Sequence, residues 1–409
     1  METKKLLDGK KQSTRFIVDE ITKICTTMGK RDPGSEGETQ ACEYMAEKMR
    51  SYGADAVVEP FEIHPGSFFG WIYITMTCFI LAAVAVFFSS LIALVLVVIG
   101  YLPMILQFVL YTKTLDPLYP KKTSHNVTAI KKCTGDVKCR VFFNGHPDAT
   151  WEWSTNYHFG GKVFIGQFVV DVIGSLYLVG TAIVKWVLVG GVGGAMPEGI
   201  TLILPCVGLL FVPLWFITYF ISDTKTVVDG ANDNLTGCYM GIALLKALKE
   251  NNIELEHTEV GVIISGSEEC GLRGGKAWAD MHKGEYQDVP TIIVSYDTIH
   301  DPKCLQVNMK DLNALVPADK EGSELFLQAC EDVGVYCGKG TVPFGATDCA
   351  AFTQGGFRSV GVTGLAHTLE KYYHTRLDSY DNLDEQGIEN CFAATVGFLQ
   401  IWDHKYSDQ

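Results

Sequence analysis

Four apolar segments dominate the hydrophobic pattern of the chain. They are residues 70–88, 91–111, 163–188 and 200–221, and each approaches the roughly 20 residues that a helix needs to cross a bilayer. Ser89 and Ser90 separate the first pair, and a glycine-rich turn at 190–199 separates the second pair. Runs of this length with so little charge are too apolar for buried helices of a soluble fold. The pattern therefore predicts two transmembrane hairpins.

Two charged residues interrupt the second predicted hairpin. Lys185 lies near the end of its span, so we expect its long side chain to reach the membrane interface. Asp171 lies deeper, and we expect it to face other helices or a wet cavity, because a carboxylate in lipid is costly.

The remaining sequence alternates between helical and strand patterns. Residues 13–65 predict two helices, the second with a capping box at Ser35 and Glu38, followed by a strand at 56–63. The strand-like residues 140–143, the β-branched run at 291–295 and the short segment 359–363 predict strands, and 236–250, 322–334 and 386–402 predict helices. We interpret the chain as an α/β protein with a mixed, mostly parallel central sheet flanked by helices, into which the two hairpins are inserted.

Two adjacent glutamates follow one of these buried-strand patterns. Glu268 and Glu269 end the segment GVIISGSEECG at 261–271, where the carboxyl edge of an open α/β sheet forms a ligand crevice. Neighbouring side chains point in different directions, so one carboxylate can bind a metal while the other accepts a proton from water.

Further metal-ligand types occur at comparable positions along the chain. They are His146 with Asp148, Asp233, Asp297 and His374. Carboxylates and imidazoles are ligands for zinc, and His146, Asp233, Glu269, Asp297 and His374 suffice for two ions that share a bridging carboxylate.

These motifs resemble those of the co-catalytic di-zinc exopeptidases of metallopeptidase clan MH, which include aminopeptidases, glutamate carboxypeptidase and the transferrin receptor. The resemblance covers roughly residues 13–65, 120–150 and 223–405, and it depends on H-x-D, G-x-x-D-N-x-[ST]-G, S-x-E-E-x-G, a late Asp and Y-H-T-x-x-D-x-x-D-N in that order. It implies a zinc exopeptidase fold with two Zn²⁺ per chain, in which Asp233 bridges both ions. His146 and Asp297 would complete one ion, and Glu269 and His374 the other.

Three residues that do not bind metal also have expected roles. The resemblance implies that Glu268 is the general base. Asp148 is expected to orient the neighbouring histidine, and the alternative for Asp148 is a simple turn aspartate. Tyr373 would either donate to the oxyanion or pack against the site. The predicted organisation is 1–65, the N-terminal part of the catalytic domain; 66–113, hairpin 1; 114–160, the central part with the first zinc ligand; 161–222, hairpin 2; and 223–409, the main zinc-binding part.

Charge and cysteine content bear on location and partners. The net charge of −14 argues against nucleic acid as a partner, and 13 scattered cysteines without a CxxC motif indicate free thiols in a reducing compartment. The lysines that flank the spans are on the side of the catalytic segments, whereas the turns at 89–90 and 190–199 have no Lys or Arg. The positive-inside rule then predicts four transmembrane helices with a cytoplasmic catalytic domain.

The function predicted from these observations is a membrane-anchored di-zinc metallohydrolase. The favoured activity is that of an aminopeptidase acting on peptides near the membrane, because short connectors join the segments of His146 and Asp233 to the second hairpin. One alternative is hydrolysis of N-acyl amino acids or lipid amides, so the expected partners are a peptide or an acylated amino acid and the lipid bilayer. Another is a non-catalytic receptor or membrane chaperone, although such a protein would be expected to lose metal ligands. The substrate side chain and the oligomeric state stay open.

Overall fold

The computed structural model of the protein describes residues 3–190, 198–366 and 369–407, so most of the predicted turn at 190–199 lies outside the described residues. The chain divides into two compact units. Unit 1 comprises Met1–Pro65, Lys121–Trp151 and Thr226–Gln409, and unit 2 comprises Gly66–Pro120 and Glu152–Lys225.

Strands and helices are numbered in chain order within the described residues. The strands are β1 (Asp55–Ile63), β2 (Lys122–Lys131), β3 (Cys139–Gly145), β4 (Trp151–Trp153), β5 (Ser222–Val227), β6 (Thr258–Ile264), β7 (Thr291–Ile299), β8 (Gln306–Asn308), β9 (Lys310–Asp311), β10 (Val316–Pro317), β11 (Gly338–Gly340) and β12 (Ser359–Gly364). The helices are α1 (Thr3–Asp8), α2 (Lys10–Thr27), α3 (Glu36–Ser51), α4 (Gly70–Ala85), α5 (Ser90–Pro103), α6 (Ser154–Phe159), α7 (Gly161–Val189), α8 (Ile200–Gly208), α9 (Val212–Thr218), α10 (Thr236–Glu250), α11 (Arg273–Met281), α12 (Lys320–Asp332), α13 (Asp348–Gln354) and α14 (Glu385–Ser407).

An eight-stranded sheet forms the centre of unit 1, in the order β1-β2-β6-β3-β7-β12-β8-β11. The block β6, β3, β7 and β12 is parallel, as are β8 and β11. Strands β1 and β2, β2 and β6, and β12 and β8 pair antiparallel. The prediction of a mixed, mostly parallel sheet is confirmed.

Helices cover both faces of this sheet. On one face, apolar side chains of α2, α3, α10 and α14 pack on the sheet, among them Ile21, Met45, Leu244 and Phe398. On the other face, Trp278 of α11 belongs to a second cluster of buried residues. Every residue of β6 is buried, which is typical of a parallel strand covered on two sides.

The predicted capping box at the start of α3 is half formed. The Ser35 side chain accepts a hydrogen bond from the Glu38 N–H at 3.2 Å. The Glu38 carboxylate, however, does not return to Ser35: it accepts from the Gly34 N–H at 2.8 Å and from the hydroxyls of Ser124 at 3.1 Å and Ser267 at 2.8 Å. Three donors in the interior therefore replace the local partner.

Unit 2 contains the apolar helices. Within the described ranges, four helical segments are long and apolar enough to cross a membrane: Pro65–Ala85, Ser90–Val109, Gly161–Val189 and Ile200–Thr218.

Asp171 and Lys185 of α7 have partners inside unit 2. The Asp171 carboxylate accepts a hydrogen bond from the Thr218 hydroxyl at 2.8 Å, so it faces a neighbouring helix as expected. Lys185 does not extend to an interface, because its side chain is 3% exposed. Its ammonium group instead donates to the carbonyls of Val86 and Phe87, both at 2.7 Å. These carbonyls follow the end of α4 and lack helical partners of their own, which accounts for the difference.

Candidate active site

The carboxyl ends of adjacent parallel strands bring the predicted site residues together. His146 follows β3, Glu268 and Glu269 follow β6 after a short turn, and Asp297 lies near the end of β7. Since β6, β3 and β7 are neighbours in the sheet, these side chains meet at one edge. Asp233 comes from the turn Ala231–Leu235 before α10, and His374 from the segment after β12.

A buried asparagine fixes the relative positions of these strand ends. The Asn144 amide donates to the Ile263 carbonyl at 3.2 Å and to the Ser265 hydroxyl at 2.7 Å, both on the β6 side. On the other side the Ser295 hydroxyl of β7 donates to the Asn144 side-chain oxygen at 2.6 Å. Asn144 therefore ties β3 to both neighbours, one residue before Gly145 and two before His146.

Asp233 lies between the two histidines. Its Oδ1 atom is 3.3 Å from His146 Nε2, and its Oδ2 atom is 3.0 Å from His374 Nε2. His374 Nε2 is also 3.5 Å from Glu269 Oε1, and His146 Nε2 is 3.9 Å from Glu268 Oε2. One carboxylate thus presents one oxygen to each histidine, which is the arrangement expected of a bridging ligand.

The possible ligand atoms form two overlapping groups. His146, Glu268 and Asp297 make one group, and His146, Asp233 and Glu269 make the other, with the ligand atoms of each group within 4.8 Å of one another. These groups contain four of the five predicted ligands together with the predicted base Glu268, and Nε2 of the fifth, His374, lies 3.0 Å from Asp233 Oδ2.

Unsatisfied oxygen atoms show that these residues fit metal ions. Asp233 Oδ2 and Glu269 Oε1 are buried and accept no hydrogen bond from the part of the chain that the structure describes, although His374 is near both. Buried carboxylate oxygens normally have donors, because leaving them without partners is costly. Imidazole and carboxylate donors at the end of parallel strands are the chemistry of zinc, so the site fits two zinc ions.

Electrostatics also favour a bound cation. Burial raises the pKa of Asp297 to about 8, and repulsion from Asp233 adds to the rise. Burial likewise raises the pKa of Glu268 and of Glu269 well above the usual range. Burial opposes a low pKa at Asp233 too, but His146 and His374 outweigh it and lower the pKa. Perturbed carboxyl groups in one cluster mark functional sites, and a cation would relieve their mutual repulsion.

Asp148 supports the site in two ways. Its carboxylate accepts from the backbone N–H groups of Glu268 and Glu269, both at 3.0 Å. Its backbone carbonyl lies 3.2 Å from Nδ1 of His146, so it can accept the proton on the nitrogen that faces away from Asp233. Asp148 therefore orients the glutamate pair as well as the neighbouring histidine that was predicted.

Tyr373 stacks on His374, with ring centroids 4.1 Å apart and an angle of 21° between the planes. This contact restricts the orientation of the histidine ring. Both alternatives for Tyr373, donation to the oxyanion and packing against the site, stay predictions.

Arg31 is a site residue that the sequence did not reveal. Its side chain is buried, and it donates to the Pro147 carbonyl at 2.7 Å and to the Gly230 carbonyl at 3.2 Å. The guanidinium group thus joins the loop that follows His146 to the turn that carries Asp233. The only sequence signal is a charged residue in the loop between α2 and α3, and that signal is too common to be specific.

A protein-family model matches part of the sequence. Residues 222–399 match the model of peptidase family M28. The matched segment contains Asp233, Glu268, Glu269, Asp297 and His374, and it begins after His146. Comparison with curated proteins gives no sequence match.

Several solved structures share the fold. The zinc aminopeptidase BSAP from Bacillus subtilis has a TM-score of 0.56 at 12% identity, with 95% of each chain covered. The aminopeptidase from Aneurinibacillus sp. strain AM-1 has a TM-score of 0.54 at 13% identity, covering 98% of this chain and 95% of that one. The glutaminyl cyclase from Fimbriiglobus ruber has a TM-score of 0.55 at 12% identity, with 95% of each chain covered. At these identities the likeness concerns the fold.

Proposed function

We propose that the protein is a zinc-dependent aminopeptidase anchored in a membrane, and the support is the match of residues 222–399 to peptidase family M28 together with a fold like that of zinc aminopeptidases. The observation that carries the site assignment is Asp233, with one oxygen at 3.3 Å from His146 and the other at 3.0 Å from His374. In this assignment Asp233 would bridge two zinc ions, His146 and Asp297 would hold one, and Glu269 and His374 would hold the other.

Each site residue then has a distinct role in peptide hydrolysis. Bound zinc would polarise the scissile carbonyl and lower the pKa of a nearby water. Glu268 binds no metal in this assignment, and it accepts the proton from the attacking water and returns it to the leaving amine. Asp148 keeps Glu268 in place through the backbone N–H.

Aminopeptidase activity is favoured over the alternatives by two considerations. Proteins of the same fold from Bacillus subtilis and Aneurinibacillus are aminopeptidases, and this chain has donors for two ions. A non-catalytic receptor would have no need for five buried ligands around unsatisfied carboxylate oxygens. Hydrolysis of N-acyl amino acids uses the same bond chemistry, so substrate tests must separate it from peptide cleavage.

The test uses the full-length protein in lipid nanodiscs with aminoacyl, peptidyl and N-acyl substrates. We expect about two zinc ions per chain and release of N-terminal residues from peptides. Glu268→Gln should lower the rate by at least about 10²-fold with zinc retained, and Asp233→Ala should remove both ions. The control is Glu254→Gln, which alters a half-exposed carboxylate paired with Lys131. This variant should change neither the zinc content nor the rate of hydrolysis. Full zinc content in Asp233→Ala would contradict the ligand assignment. Near-normal turnover in Glu268→Gln would contradict the assignment of the base.

We also propose that unit 1 is cytoplasmic, as the flanking lysines indicate. The two N-x-[ST] sequons give no support for export, since Asn126 and Asn234 are buried and their amides donate to the carbonyls of Gly274 and Tyr296. A thiol probe that cannot cross membranes should label Cys133 and Cys304, which are partly exposed, only after cells are opened. Labelling in intact cells would reverse the orientation.

Substrates near the membrane are the last part of the proposal, and its support is the short connection in sequence between the ligand segments and the spans. A peptide series with increasingly apolar N-terminal residues should show kcat/KM rising more steeply in nanodiscs than in detergent. Equal slopes would remove the membrane preference and leave the peptidase assignment intact.

A further inference from the structure

Two carboxylates support the predicted metal-binding turns in the same way. Asp148 accepts from the consecutive N–H groups of Glu268 and Glu269. Asp378 accepts from the consecutive N–H groups of Asn232 and Asp233, at 2.8 Å on Oδ1 and 3.1 Å on Oδ2. A carboxylate that uses both oxygens on adjacent N–H groups fixes the position and the direction of the peptide between them, because each bond restricts a different atom.

Additional contacts make Asp378 specific for this turn. Its side chain is fully buried, and Oδ1 also accepts from the Asn232 side-chain amide at 2.9 Å. Asn232 is held from other directions by the Thr236 hydroxyl, which donates to its carbonyl at 2.7 Å, and by His300, whose Nδ1 lies 3.1 Å from its side-chain oxygen. The residue before Asp233 is therefore immobilised, and Asp378 contributes two of its bonds.

The local backbone explains why an external acceptor is needed. Asp233 (φ −113°, ψ 86°) and Asn234 (φ −144°, ψ 39°) are not helical, although α10 starts two residues later. The first N–H groups of a helix lack helical acceptors, and this irregular turn adds the N–H groups of Asn232 and Asp233 to that set. Asp378 satisfies both.

Asp378 also belongs to the segment that carries His374. The Thr375 N–H donates to the Tyr372 carbonyl at 2.9 Å, and the Asp378 N–H donates to the Thr375 carbonyl at 2.9 Å, so residues 372–378 form consecutive turns. The carboxylate of Asp378 therefore connects the segment of His374 to the turn of Asp233. His374 Nε2 and Asp233 Oδ2 themselves are 3.0 Å apart.

From this geometry we propose that Asp378 is a positioning residue that sets the separation of Asp233 and His374 and thereby retains the metal ion that these two residues share with Glu269. The proposal depends on the ligand assignment given under Proposed function. In this role Asp378 is not itself a metal ligand, and it acts through the Asp233 backbone N–H that its carboxylate accepts from.

The test is Asp378→Asn. Asparagine keeps one acceptor oxygen but places an NH₂ group against the other backbone N–H, so one of the two bonds is lost without a change in size. We expect the affinity for one of the two zinc ions to fall by about 10–100-fold, and zinc content after dialysis to drop from about two to about one per chain. Excess zinc should restore kcat, while KM for the peptide stays near the wild-type value.

The matched control is Asp319→Asn. Asp319 also accepts three hydrogen bonds, from the Gly322 N–H at 2.7 Å and from Arg358 at 2.8 and 2.9 Å, and it caps α12 away from the ligands. This variant should lose thermal stability and keep two zinc ions. A structural role for Asp378 would make the two variants alike in zinc content.

Further variants and the wild type separate the remaining outcomes. If Asp378→Asn does not fold, Asp378→Glu keeps the charge and shifts the carboxylate by one methylene, and it should also weaken one zinc ion. Wild-type zinc affinity in a folded Asp378→Asn or Asp378→Glu protein would overturn the proposal. A wild-type protein that binds no zinc would instead overturn the ligand assignment itself, which metal analysis of the wild type reveals first.

Discussion

Asp148→Asn is the most direct test of how the site is supported. The Asp148 side chain is fully buried, and its two oxygens accept from Glu268 N and Glu269 N at 3.0 Å each. Asparagine has almost the same volume, but it offers one acceptor and one donor group. One backbone N–H must then face an NH₂ group at a position that solvent does not reach.

The size of the effect follows from that lost bond. A hydrogen bond to a charged acceptor contributes about 1.5–3 kcal/mol, and a buried donor without a partner costs about 1–3 kcal/mol. Since these two terms partly describe the same loss, we expect the free energy of unfolding to fall by about 2–4 kcal/mol. Changes in residues that orient metal ligands typically reduce metal affinity or activity by about 10–100-fold, which corresponds to about 1.4–2.8 kcal/mol.

Two measurements on the same preparation check this expectation. Zinc affinity is obtained by competition with a chelator, and kcat/KM is measured on a peptide at saturating zinc. The control is Asp403→Asn, because Asp403 is buried and accepts from the Thr258 hydroxyl at 2.6 Å, at the amino end of β6. That variant should lose stability alone. A folded Asp148→Asn protein within twofold of wild type in both zinc affinity and kcat/KM would refute the role assigned to the carboxylate.

Three further predictions concern packing, pH and unit 2. Gly145→Ala would place a Cβ atom 2.3 Å from the Cys238 backbone nitrogen, so β3 and α10 must separate. We expect the free energy of unfolding to fall by about 1–3 kcal/mol, which should appear as a lower Tm and weaker zinc binding. An unchanged Tm and unchanged zinc affinity would contradict this prediction. Burial lowers the pKa of His282, but hydrogen bonds to Glu59 and Glu285 outweigh it and raise the pKa. The protonated histidine therefore stabilises the folded state fully below the unfolded pKa of about 6.5, and this stabilisation is lost as the pH rises through the folded pKa. The Tm difference between wild type and His282→Gln should shrink from pH 6 to pH 9, and a constant difference would contradict the prediction. Lys185→Met leaves the carbonyls of Val86 and Phe87 without their donor. The free energy of unfolding in nanodiscs should fall by about 1–3 kcal/mol. An unchanged unfolding midpoint would show that water replaces the ammonium group.

The sequence was most informative where chemistry follows directly on a regular pattern. Glu268 and Glu269 come after a run of buried residues, and His146 comes after another, so the parallel sheet alone places them at one edge. The four apolar spans were equally clear, because their length and lack of charge leave few other structures. The sheet then confirms the fold, while the individual metal contacts stay predictions for zinc analysis to test.

The partners of Asp378 and Arg31 could not be predicted from the sequence for a different reason. Asp378 is 146 residues from Asn232, and Arg31 is 116 residues from Pro147. Both lie in irregular segments, where no periodicity reports burial. Glu38 illustrates the same limit inside a recognised motif: its position fits a local capping box, but two hydroxyls from distant segments and the Gly34 N–H use its carboxylate instead. Local patterns identify which residues can bond, and the tertiary structure decides which partner they have.

The strand pairing explains how two long apolar insertions leave the catalytic edge intact. The first insertion leaves β1 at Ile63 and returns at Lys122, and these two residues are direct partners in the antiparallel ladder. The second leaves after Thr150 and returns at Val228, whose N–H donates to the Thr150 carbonyl at 3.1 Å, and β4 pairs with β5 next to this bond. Each insertion therefore replaces what would otherwise be a short connection between neighbouring backbone segments, a position where added chain changes few contacts of the host fold. His146 and Asp233 can consequently be separated by a whole hairpin in the sequence and still lie 3.3 Å apart.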